Sequence, residues 1–423
     1  MLFRSGATAD STVTLRRALG SLGTAGNATV LGVRERMAPP HAALANGAAA
    51  HALEMDDTHQ GGSIHLGATV FSAALAAAET AGASGTATLR AAVAGYEVAA
   101  RLARALDPAA HYRRGFHPTG TCGVFGAAAA VGALLGLDPS ALTVALGIAG
   151  SQAAGSMEFL ADGAWTKRLH PGWAASGGLH AAALAAEGFR APATILEGRF
   201  GILRAYSDGA DPAPLLAPDG YAILATSIKP YACCRYIQGP IDATLALRAA
   251  HGIIPPAVAR IEVGVLASAF PIVCEPDSIK RRPASVVDAQ FSLPFGVAVA
   301  LVRGAASPAE FTPDVLADPS VRALTDRVVG TRDPALDAVY PSAWPSWVRI
   351  TLHDGRQLAA RVDHPRGDPQ NFPTPGELDA KFRRLAARAL SPAEVERLAT
   401  AIDAFPDAPH VAAVLAAAVP GGR

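Results

Sequence analysis

The sequence predicts a mainly α-helical protein, with a large all-helical domain formed by both chain ends and a smaller α+β domain between them. The 423 residues exceed the length at which one hydrophobic core usually stops growing, so two domains are expected. Segments of helical length rich in Ala, Leu and Gly fill the first half. Alternating strand patterns begin only after Pro212.

The composition narrows the class of partner. Half of the residues are hydrophobic, 17% are charged, and 36 basic side chains balance 36 acidic ones. Disorder and a basic nucleic-acid-binding surface are both disfavoured by such a chain. The expected partner is therefore a small molecule.

The predicted helices of the first half are apolar on nearly every face, which is typical of helices buried in a large helical body. They cover residues 42–55, 68–81, 88–106, 123–137, 139–151 and 174–186. The longest apolar run, 123–137, is shorter than the ~20 residues that a membrane helix needs, so no membrane association is expected.

The pattern changes in the second half. Strands are predicted at 259–266, 346–352 and 357–362, and the Asp354-Gly355 pair between the last two predicts a hairpin. A helix is predicted at 287–303, followed after a Pro- and Gly-rich connector by helices at 375–390 and 391–405, the latter with a capping box at Ser391. These last helices are expected to rejoin the first body. The predicted domains are thus 1–225 with 366–423, and 226–365.

Several catalytic signatures are missing from the sequence. It contains no GxxxxGK[ST], no strand-linked GxGxxG, no GxSxG and no HExxH. The four cysteines form no CxxC pair, which favours a reducing compartment. No export signal is recognised in the first twenty residues, so we expect a cytoplasmic protein.

The densest polar segment runs from Glu54 to His65 and also holds Asp56, Asp57 and His59. Three carboxylates and two imidazoles in twelve residues are consistent with an acid–base cluster whose groups tune one another's pKa. The same residues could form a carboxylate and histidine metal site, or an ordinary helix end. The acid–base interpretation is preferred.

A second polar group precedes the apolar helix predicted at 123–137. His117 and Thr119 lie close to the start of this helix, where unsatisfied backbone N–H groups favour an anion. A single histidine in such a place is more often structural, so this group needs support from elsewhere.

A third group combines cations with aromatic neighbours. Lys167, Arg168 and His170 lie between Trp165 and Trp173, and lysine is rare here, with four in the chain. Because a lysine ammonium can lose its proton in apolar surroundings, whereas a guanidinium stays charged, Lys167 is a candidate for a specific role. Apolar walls from the tryptophans are expected.

The fourth group lies where the helical pattern gives way to the mixed one. Lys229, Arg235 and Gln238 occur in the segment KPYACCRYIQ, and ligands often bind in crevices between domains. The adjacent Cys233 and Cys234 are interpreted as packing residues.

These groups lie in strings that together resemble the MmgE/PrpD family, which includes 2-methylcitrate dehydratase, cis-aconitate decarboxylase and iminodisuccinate epimerase. In order they are HALEMDDTH, GYEVAARL, GFHPTGTCGVFGAA, MEFLADGAWTKRLHPGWAA, KPYACCRY, VVDAQFSLPF and RVDHPRGDPQN. The resemblance implies a helical domain built from both chain ends, a smaller α+β lid domain, and a homodimer.

The resemblance also implies an active-site cleft, which would contain Glu54, Thr58, His65, His117, Lys167 and Lys229. The sequence departs from the family pattern in two places. Gln238 stands where the family often has a histidine, and Phe295 stands where the decarboxylase has a tyrosine. Each departure removes a proton donor, which disfavours cis-aconitate decarboxylation.

The chemistry that unites such a family is proton transfer at a carbon next to a carboxylate, which requires a base and fixed positive charge. His65 and His117 are candidates for base and acid. The candidates for carboxylate binding and charge stabilisation are Lys167, Lys229, Arg168, His170, Thr58 and Thr119, with Arg235 and Gln238 as further contacts. Glu54 or Asp57 could fix a histidine tautomer.

The preferred function is a cofactor-free hydro-lyase, similar to 2-methylcitrate dehydratase, that acts on a small di- or tricarboxylate. An epimerase of an amino- or imino-dicarboxylate is the alternative. A cis-aconitate-type decarboxylase, and a metal-dependent enzyme using His59 and His65, are less favoured. A helical binding protein for an organic acid is the non-catalytic alternative.

Overall fold

A computed structural model describes residues 2–217 and 220–421 of the chain. Its mainly α-helical character confirms the predicted fold class. The helices that precede residue 218 are α1 (Leu2–Gly6), α2 (Asp10–Ser21), α3 (Pro39–His51), α4 (Gly67–Ala81), α5 (Gly85–Ala105), α6 (Pro108–Arg113), α7 (Pro118–Thr121), α8 (Gly123–Leu134), α9 (Pro139–Ser151), α10 (Thr166–Ala186), α11 (Ile202–Tyr206) and α12 (Ala213–Leu216).

The remaining helices are shorter on average. They are α13 (Arg235–His251), α14 (Phe270–Val273), α15 (Asp277–Arg281), α16 (Val286–Gln290), α17 (Leu293–Arg303), α18 (Pro313–Ala317), α19 (Pro319–Thr325), α20 (Pro334–Asp337), α21 (Pro375–Ala386), α22 (Pro392–Asp403) and α23 (Ala412–Ala417). The strands are β1 (Ala25–Thr29), β2 (Arg36–Met37), β3 (Asp57–His59), β4 (Thr226–Ile228), β5 (Val258–Val265), β6 (Val328–Arg332), β7 (Ser346–Leu352) and β8 (Gln357–Val362).

The chain divides into two compact units. The first contains Met1–Glu158, Thr166–Thr226 and Thr374–Arg423, and the second contains Phe159–Trp165 and Ser227–Pro373. Residues 159–165 thus pack with the second unit, although the predicted boundaries assign them to the helical domain. Whether either unit folds independently, as the predicted domains would, stays a prediction.

The first unit is built around α10, which packs against α3, α4, α8 and α9. Close contact is possible because these helices carry glycine and alanine where they meet. A Cβ atom at Gly172 of α10 would collide with the carbonyl oxygen of Leu44 on α3, and one at Gly178 would lie 2.6 Å from the backbone nitrogen of Ala128 on α8. The polar segments next to α3, α8 and α10 are therefore attached to helices that pack with their backbones in close contact.

The second unit contains a four-stranded sheet in the order β6-β5-β7-β8, with β5 and β6 parallel and the other pairs antiparallel. Ile261 of β5 pairs with Ile350 of β7, and Ile350 pairs with Leu358 of β8. The predicted hairpin is confirmed, and Gly355 in its turn has φ of 86°, a conformation that favours glycine.

Several helix predictions are wrong in their limits, and the two largest differences fall at residues 287–303 and at the start of α10. The single helix predicted at 287–303 is two helices, α16 and α17, because Ser292 caps α17 by accepting a hydrogen bond from the N–H of Phe295 at 3.0 Å. The helix predicted to begin at residue 174 begins at Thr166, and Pro171 lies inside it. The capping box at Ser391 is confirmed, since Glu394 accepts hydrogen bonds from its N–H and hydroxyl at 2.9 Å.

Among the described residues, no helix combines the length and the apolar character needed to cross a membrane.

Candidate active site

The core of the candidate site is the turn that follows α3. The helix ends at His51, earlier than the predicted residue 55, and Glu54 takes a left-handed backbone conformation with φ of 52°. A non-glycine residue rarely adopts this conformation, and such strain is concentrated at functional sites. The turn brings His51, Glu54 and Asp56 together as fully buried side chains.

His51 and Asp56 form a buried hydrogen-bonded dyad, with 2.6 Å between Nδ1 of the imidazole and Oδ2 of the carboxylate. Because a carboxylate accepts, Nδ1 carries the proton and the Nε2 lone pair is available. Nε2 lies 3.9 Å from Oε1 of Glu54 and has no hydrogen-bond partner among the described residues. Burial lowers the pKa of His51, although Asp56 opposes this effect, so the imidazole is neutral near pH 7.

His65 is held by its own loop. Its Nδ1 lies 2.8 Å from the carbonyl oxygen of Asp57, 3.1 Å from Oγ1 of Thr58 and 3.4 Å from Oδ2 of Asp56. A carbonyl oxygen only accepts, so Nδ1 carries the proton in the neutral ring, as in His51. The backbone N–H of His65 donates to Oγ1 of Thr119 at 3.1 Å, which links this loop to α7.

His117 precedes α7 and pairs with His170 of α10, with 2.9 Å between their Nδ1 atoms. Burial holds the pKa of His117 well below its usual range, with the neighbouring His170 and Lys167 acting in the same direction. Burial likewise lowers the pKa of His170 to about 4. Both rings are therefore neutral near pH 7, and one Nδ1 donates to the other.

The positive charge of the cluster comes from α10. Lys167 is buried and forms an ion pair with Glu54. Arg168 is also nearly buried, lies 3.4 Å from the hydroxyl of Ser11, and has a pKa that burial lowers despite the opposing charges of Glu54 and Asp10. A buried pair keeps both groups charged only while each has its partner.

The imidazoles face one another. The ring centres of His51 and His65 are 4.7 Å apart, those of His65 and His117 6.0 Å, and those of His117 and His170 5.1 Å. One nitrogen from each of His51, His65 and His117 lies within 4.8 Å of the others. The first unit thus gathers the predicted residues Glu54, Thr58, His65, His117, Thr119, Lys167 and His170 around one cluster.

Asp57 plays a different part from the one predicted for its carboxylate. Both of its oxygens accept hydrogen bonds from the N–H of Gly67, at 2.9 and 3.0 Å, and the hydroxyl of Tyr96 donates to Oδ2 at 2.7 Å. Burial raises its pKa to about 6. Its backbone carbonyl, rather than its carboxylate, orients His65.

Three predicted residues belong to the second unit. Lys229 is fully buried beside β4, and Arg235, at the start of α13, forms an ion pair with buried Asp368. The side-chain amide of Gln238 donates to the carbonyl oxygens of Tyr231 and Cys233 at 3.1 and 3.0 Å and accepts from the N–H of Tyr231 at 3.1 Å. These bonds brace the local turn, and the role of all three residues in binding substrate stays a prediction.

Two expectations about neighbouring residues are wrong. Trp165 and Trp173 are 45% and 56% exposed, so the apolar surroundings of Lys167 come from helix packing rather than from indole rings. His59, invoked for a metal site, accepts the N–H of Gly62 at 3.1 Å through Nδ1, and the clustered nitrogens include His51 in its place.

Sequence reasoning did not single out His51 or assign Asp56 its role. His51 lies in an Ala-rich segment whose pattern is typical of a buried core helix. Asp56 is one of three neighbouring carboxylates that the sequence alone does not distinguish. A signal was present, since His51 lies three residues before Glu54 and five before Asp56, next to the polar segment.

Comparison with known proteins matches both parts of the chain to domains of one protein family. The MmgE/PrpD N-terminal domain model matches residues 4–215, and the MmgE/PrpD C-terminal domain model matches residues 231–406. Similar curated proteins include the cis-aconitate decarboxylase of Aspergillus terreus, 28% identical over 407 residues, or 90% of this chain and 82% of that protein. The cis-aconitate decarboxylase of Mus musculus is also 28% identical, over 88% of this chain and 77% of its own length.

Proposed function

We propose that this chain, which belongs to the MmgE/PrpD family, is a lyase that removes a proton from the carbon next to a carboxylate of a small di- or tricarboxylate. One observation carries the proposal. Imidazoles oriented through their Nδ1 atoms lie beside a buried Glu54–Lys167 ion pair. Bases beside a fixed cation are what α-proton abstraction requires.

In this proposal Lys167 binds the substrate carboxylate whose charge grows as the α-proton leaves. Its ammonium would exchange part of its contact with Glu54 for the substrate, in surroundings that strengthen the attraction. The hydroxyl of Thr119 accepts from His65, so its own proton is available to a second carboxylate oxygen. The hydroxyl of Thr58 lies 3.1 Å from Nδ1 of the His65 imidazole.

His65 and His117 serve as the acid–base pair. One neutral imidazole accepts the α-proton, and the resulting enolate-like charge is stabilised by Lys167. In a hydro-lyase, the carbon–oxygen bond at the β-carbon then breaks, an acid donates a proton to the departing hydroxyl, and an alkene and water are formed. An imidazole suits both steps because it exchanges its proton near neutral pH.

A hydro-lyase is our first candidate. A decarboxylase is the second, because the similar proteins from Aspergillus terreus and Mus musculus are cis-aconitate decarboxylases. A decarboxylase would break a carbon–carbon bond, release CO2 and protonate the remaining carbanion. Phe295, where the resemblance implies a tyrosine, is buried with its ring 5.5 Å from that of Phe311. Phenylalanine has no hydroxyl to supply the proton donor that the resemblance implies at this position, so the hydro-lyase stays our first candidate.

Proton NMR in D2O with a panel of di- and tricarboxylates tests the proposal. Loss of the α-proton signal with appearance of an alkene, and no loss of carbon, would support the hydro-lyase and name its substrate. Release of 13CO2 from labelled cis-aconitate would select the decarboxylase. Exchange with inversion and no alkene would select the epimerase, and no exchange or turnover with any acid would overturn proton abstraction.

A further inference from the structure

We infer that His51, His65 and His117 form a binding site for a divalent transition-metal ion of the Zn2+ or Co2+ class, and that the bound ion blocks the acid–base cluster. Metal binding follows from the three side chains alone. The inhibition rests on the proposed function, because it requires that the same imidazoles exchange protons with substrate.

The ligand atoms are close enough for one ion. The three nitrogens lie within 4.8 Å of one another and come from three segments of the first unit: the end of α3, the loop before α4 and the residue before α7. Zinc–imidazole bonds are about 2.0–2.1 Å long, so each ring would have to move by under ~1 Å to reach a common ion. Side-chain torsion alone can provide that movement.

The hydrogen bonding of His51 leaves a lone pair for a metal ion. Metal ions bind the lone pair of an imidazole nitrogen, and because Nδ1 of His51 donates to the carboxylate of Asp56, the lone pair lies on Nε2. Nε2 of His51 is a buried nitrogen without a hydrogen-bond partner among residues 2–217 and 220–421. Such an atom is costly to bury unless something binds it.

The hydrogen bonds behind the rings resemble the second shell of a metal centre. Metal-binding histidines usually donate their other N–H to a carboxylate or a backbone carbonyl, which fixes the tautomer and raises ligand basicity. His51 donates from Nδ1 to the carboxylate of Asp56, and His65 donates from Nδ1 to the carbonyl of Asp57. Both rings are thereby oriented to present Nε2.

The charges around the three nitrogens allow a cation. The buried carboxylates of Asp56 and Glu54 lie 2.6 and 3.9 Å from the nitrogens of His51 and contribute negative charge. Lys167 contributes positive charge, but it forms an ion pair with Glu54. Three histidine ligands leave a coordination position open, as in catalytic zinc sites. Metal coordination would occupy the lone pairs that accept the substrate proton, so the ion is expected to compete with turnover.

Titration of the purified full chain, first dialysed against EDTA, with Co2+ tests the site. We expect binding of one ion per chain, a visible absorption band typical of four-coordinate Co2+, and displacement by Zn2+. His51→Ala should abolish the band, and Asp56→Asn should weaken binding by about 10–100-fold because it removes a second-shell acceptor. His180→Ala, in an exposed part of α10, is the matched control and should leave binding unchanged.

Circular dichroism establishes that each variant is folded, and Asp56→Asn keeps the volume of the site if His51→Ala does not fold. Absence of one-to-one binding, or binding that His51→Ala and Asp56→Asn leave unchanged, would overturn the site. Turnover measured with and without Zn2+ tests the second half of the inference. If no turnover is found while Co2+ binding still depends on His51, the proposed function fails and the metal site stands.

Discussion

At the scale of single residues, the buried ion pair of Glu54 and Lys167 is the feature whose substitution is expected to affect stability most. Removing one partner of a buried pair leaves the other charge uncompensated, which typically costs about 3–5 kcal/mol of unfolding free energy. A loss of activity after one substitution would therefore not separate a catalytic role of Lys167 from a structural one.

Two variants distinguish the catalytic role from the structural one. The first is Lys167→Met, and the second combines Lys167→Met with Glu54→Gln. We expect the single variant to be destabilised, and the double variant to regain much of the stability because no charge is left buried alone. Both are expected to lose turnover by 100-fold or more, about 2.7 kcal/mol of activation free energy. Urea unfolding and kcat measure the two effects, and a double variant with restored turnover would contradict a role for Lys167 in the chemistry.

A pH dependence of stability follows from the buried imidazoles. The pKa values of His51, His117 and His170 are lowered by burial, so below pH 6.5 the unfolded chain binds protons that the folded chain does not. Stability is thus complete above pH 6.5 and falls as the pH decreases toward 4, by at most about 1.4 kcal/mol per pH unit for each histidine.

Asp57 acts in the opposite direction. Its pKa, raised to about 6, makes the folded chain bind a proton more readily than the unfolded chain between pH 6 and 4, and burial also raises the pKa of Asp242. These two carboxyl groups oppose four buried histidines, since burial also lowers the pKa of His111 to about 4. The urea midpoint is therefore expected to be lower at pH 5.0 than at pH 7.5, and His170→Asn should reduce that difference. Equal midpoints at the two pH values would contradict the buried neutral imidazoles.

At the scale of elements, the contact between α3 and α10 sets the distance between Glu54 and Lys167. Gly172→Ala places a methyl group against the carbonyl oxygen of Leu44, a backbone atom that cannot turn aside as the end of a flexible side chain could. We expect a loss of about 1–3 kcal/mol of unfolding free energy. Turnover is also expected to fall, because the two helices must separate.

Gly20→Ala is the matched control for that substitution. Gly20 lies inside α2, and a Cβ atom there meets no atom within 4 Å. Alanine is the better helix former, so this variant is expected to be slightly more stable. Thermal unfolding of the two variants decides the matter, and similar Tm shifts in both would refute the importance of the close contact.

The elements also show what the sequence could predict. Hydrophobic periodicity and proline placement located α9 to the residue and the β7–β8 hairpin by its Asp-Gly turn. The early end of α3 could not be predicted, because a left-handed residue at Glu54 leaves no mark on the pattern. The charged start of α10 looked like a loop, since its burial depends on partners from α3 that are distant in sequence.

The same limit applies to the site. The polar clusters around Glu54, His117 and Lys167 were visible, because groups of titratable residues between apolar helices are rare. Which nitrogen faces which oxygen was not visible, and neither was the pairing of His117 with His170. Pairing of this kind is decided by helix packing rather than by local sequence.

At the scale of the whole molecule, the expected homodimer remains a prediction that mass measurement can test. The described residues of the first unit between 189 and 217 and between 220 and 224 expose several large apolar side chains, including Phe200 and Leu216, each 83% exposed. A contiguous exposed apolar patch often marks an interface, and these side chains are our candidates for one. Light scattering should give a mass twice the 43.1 kDa of the chain.

The double substitution Phe200→Ser with Leu216→Ser is expected to shift that mass toward the monomer. Leu22→Ser changes an apolar residue that is 74% exposed and lies outside the segment, and it serves as the control. A monomeric mass for the unaltered protein would contradict the dimer. An unchanged dimer in the double variant would place its interface elsewhere.

The backbone at Glu54 has a consequence for natural variation. A left-handed residue there is tolerated best as glycine, asparagine or aspartate, and of these only aspartate keeps the negative charge opposite Lys167. Natural variation at this position is therefore expected to be confined to glutamate and aspartate. Two constraints thus act on residue 54: the left-handed backbone of the turn and the need for a negative charge opposite Lys167. A substitution that satisfies one constraint but not the other is expected to be lost.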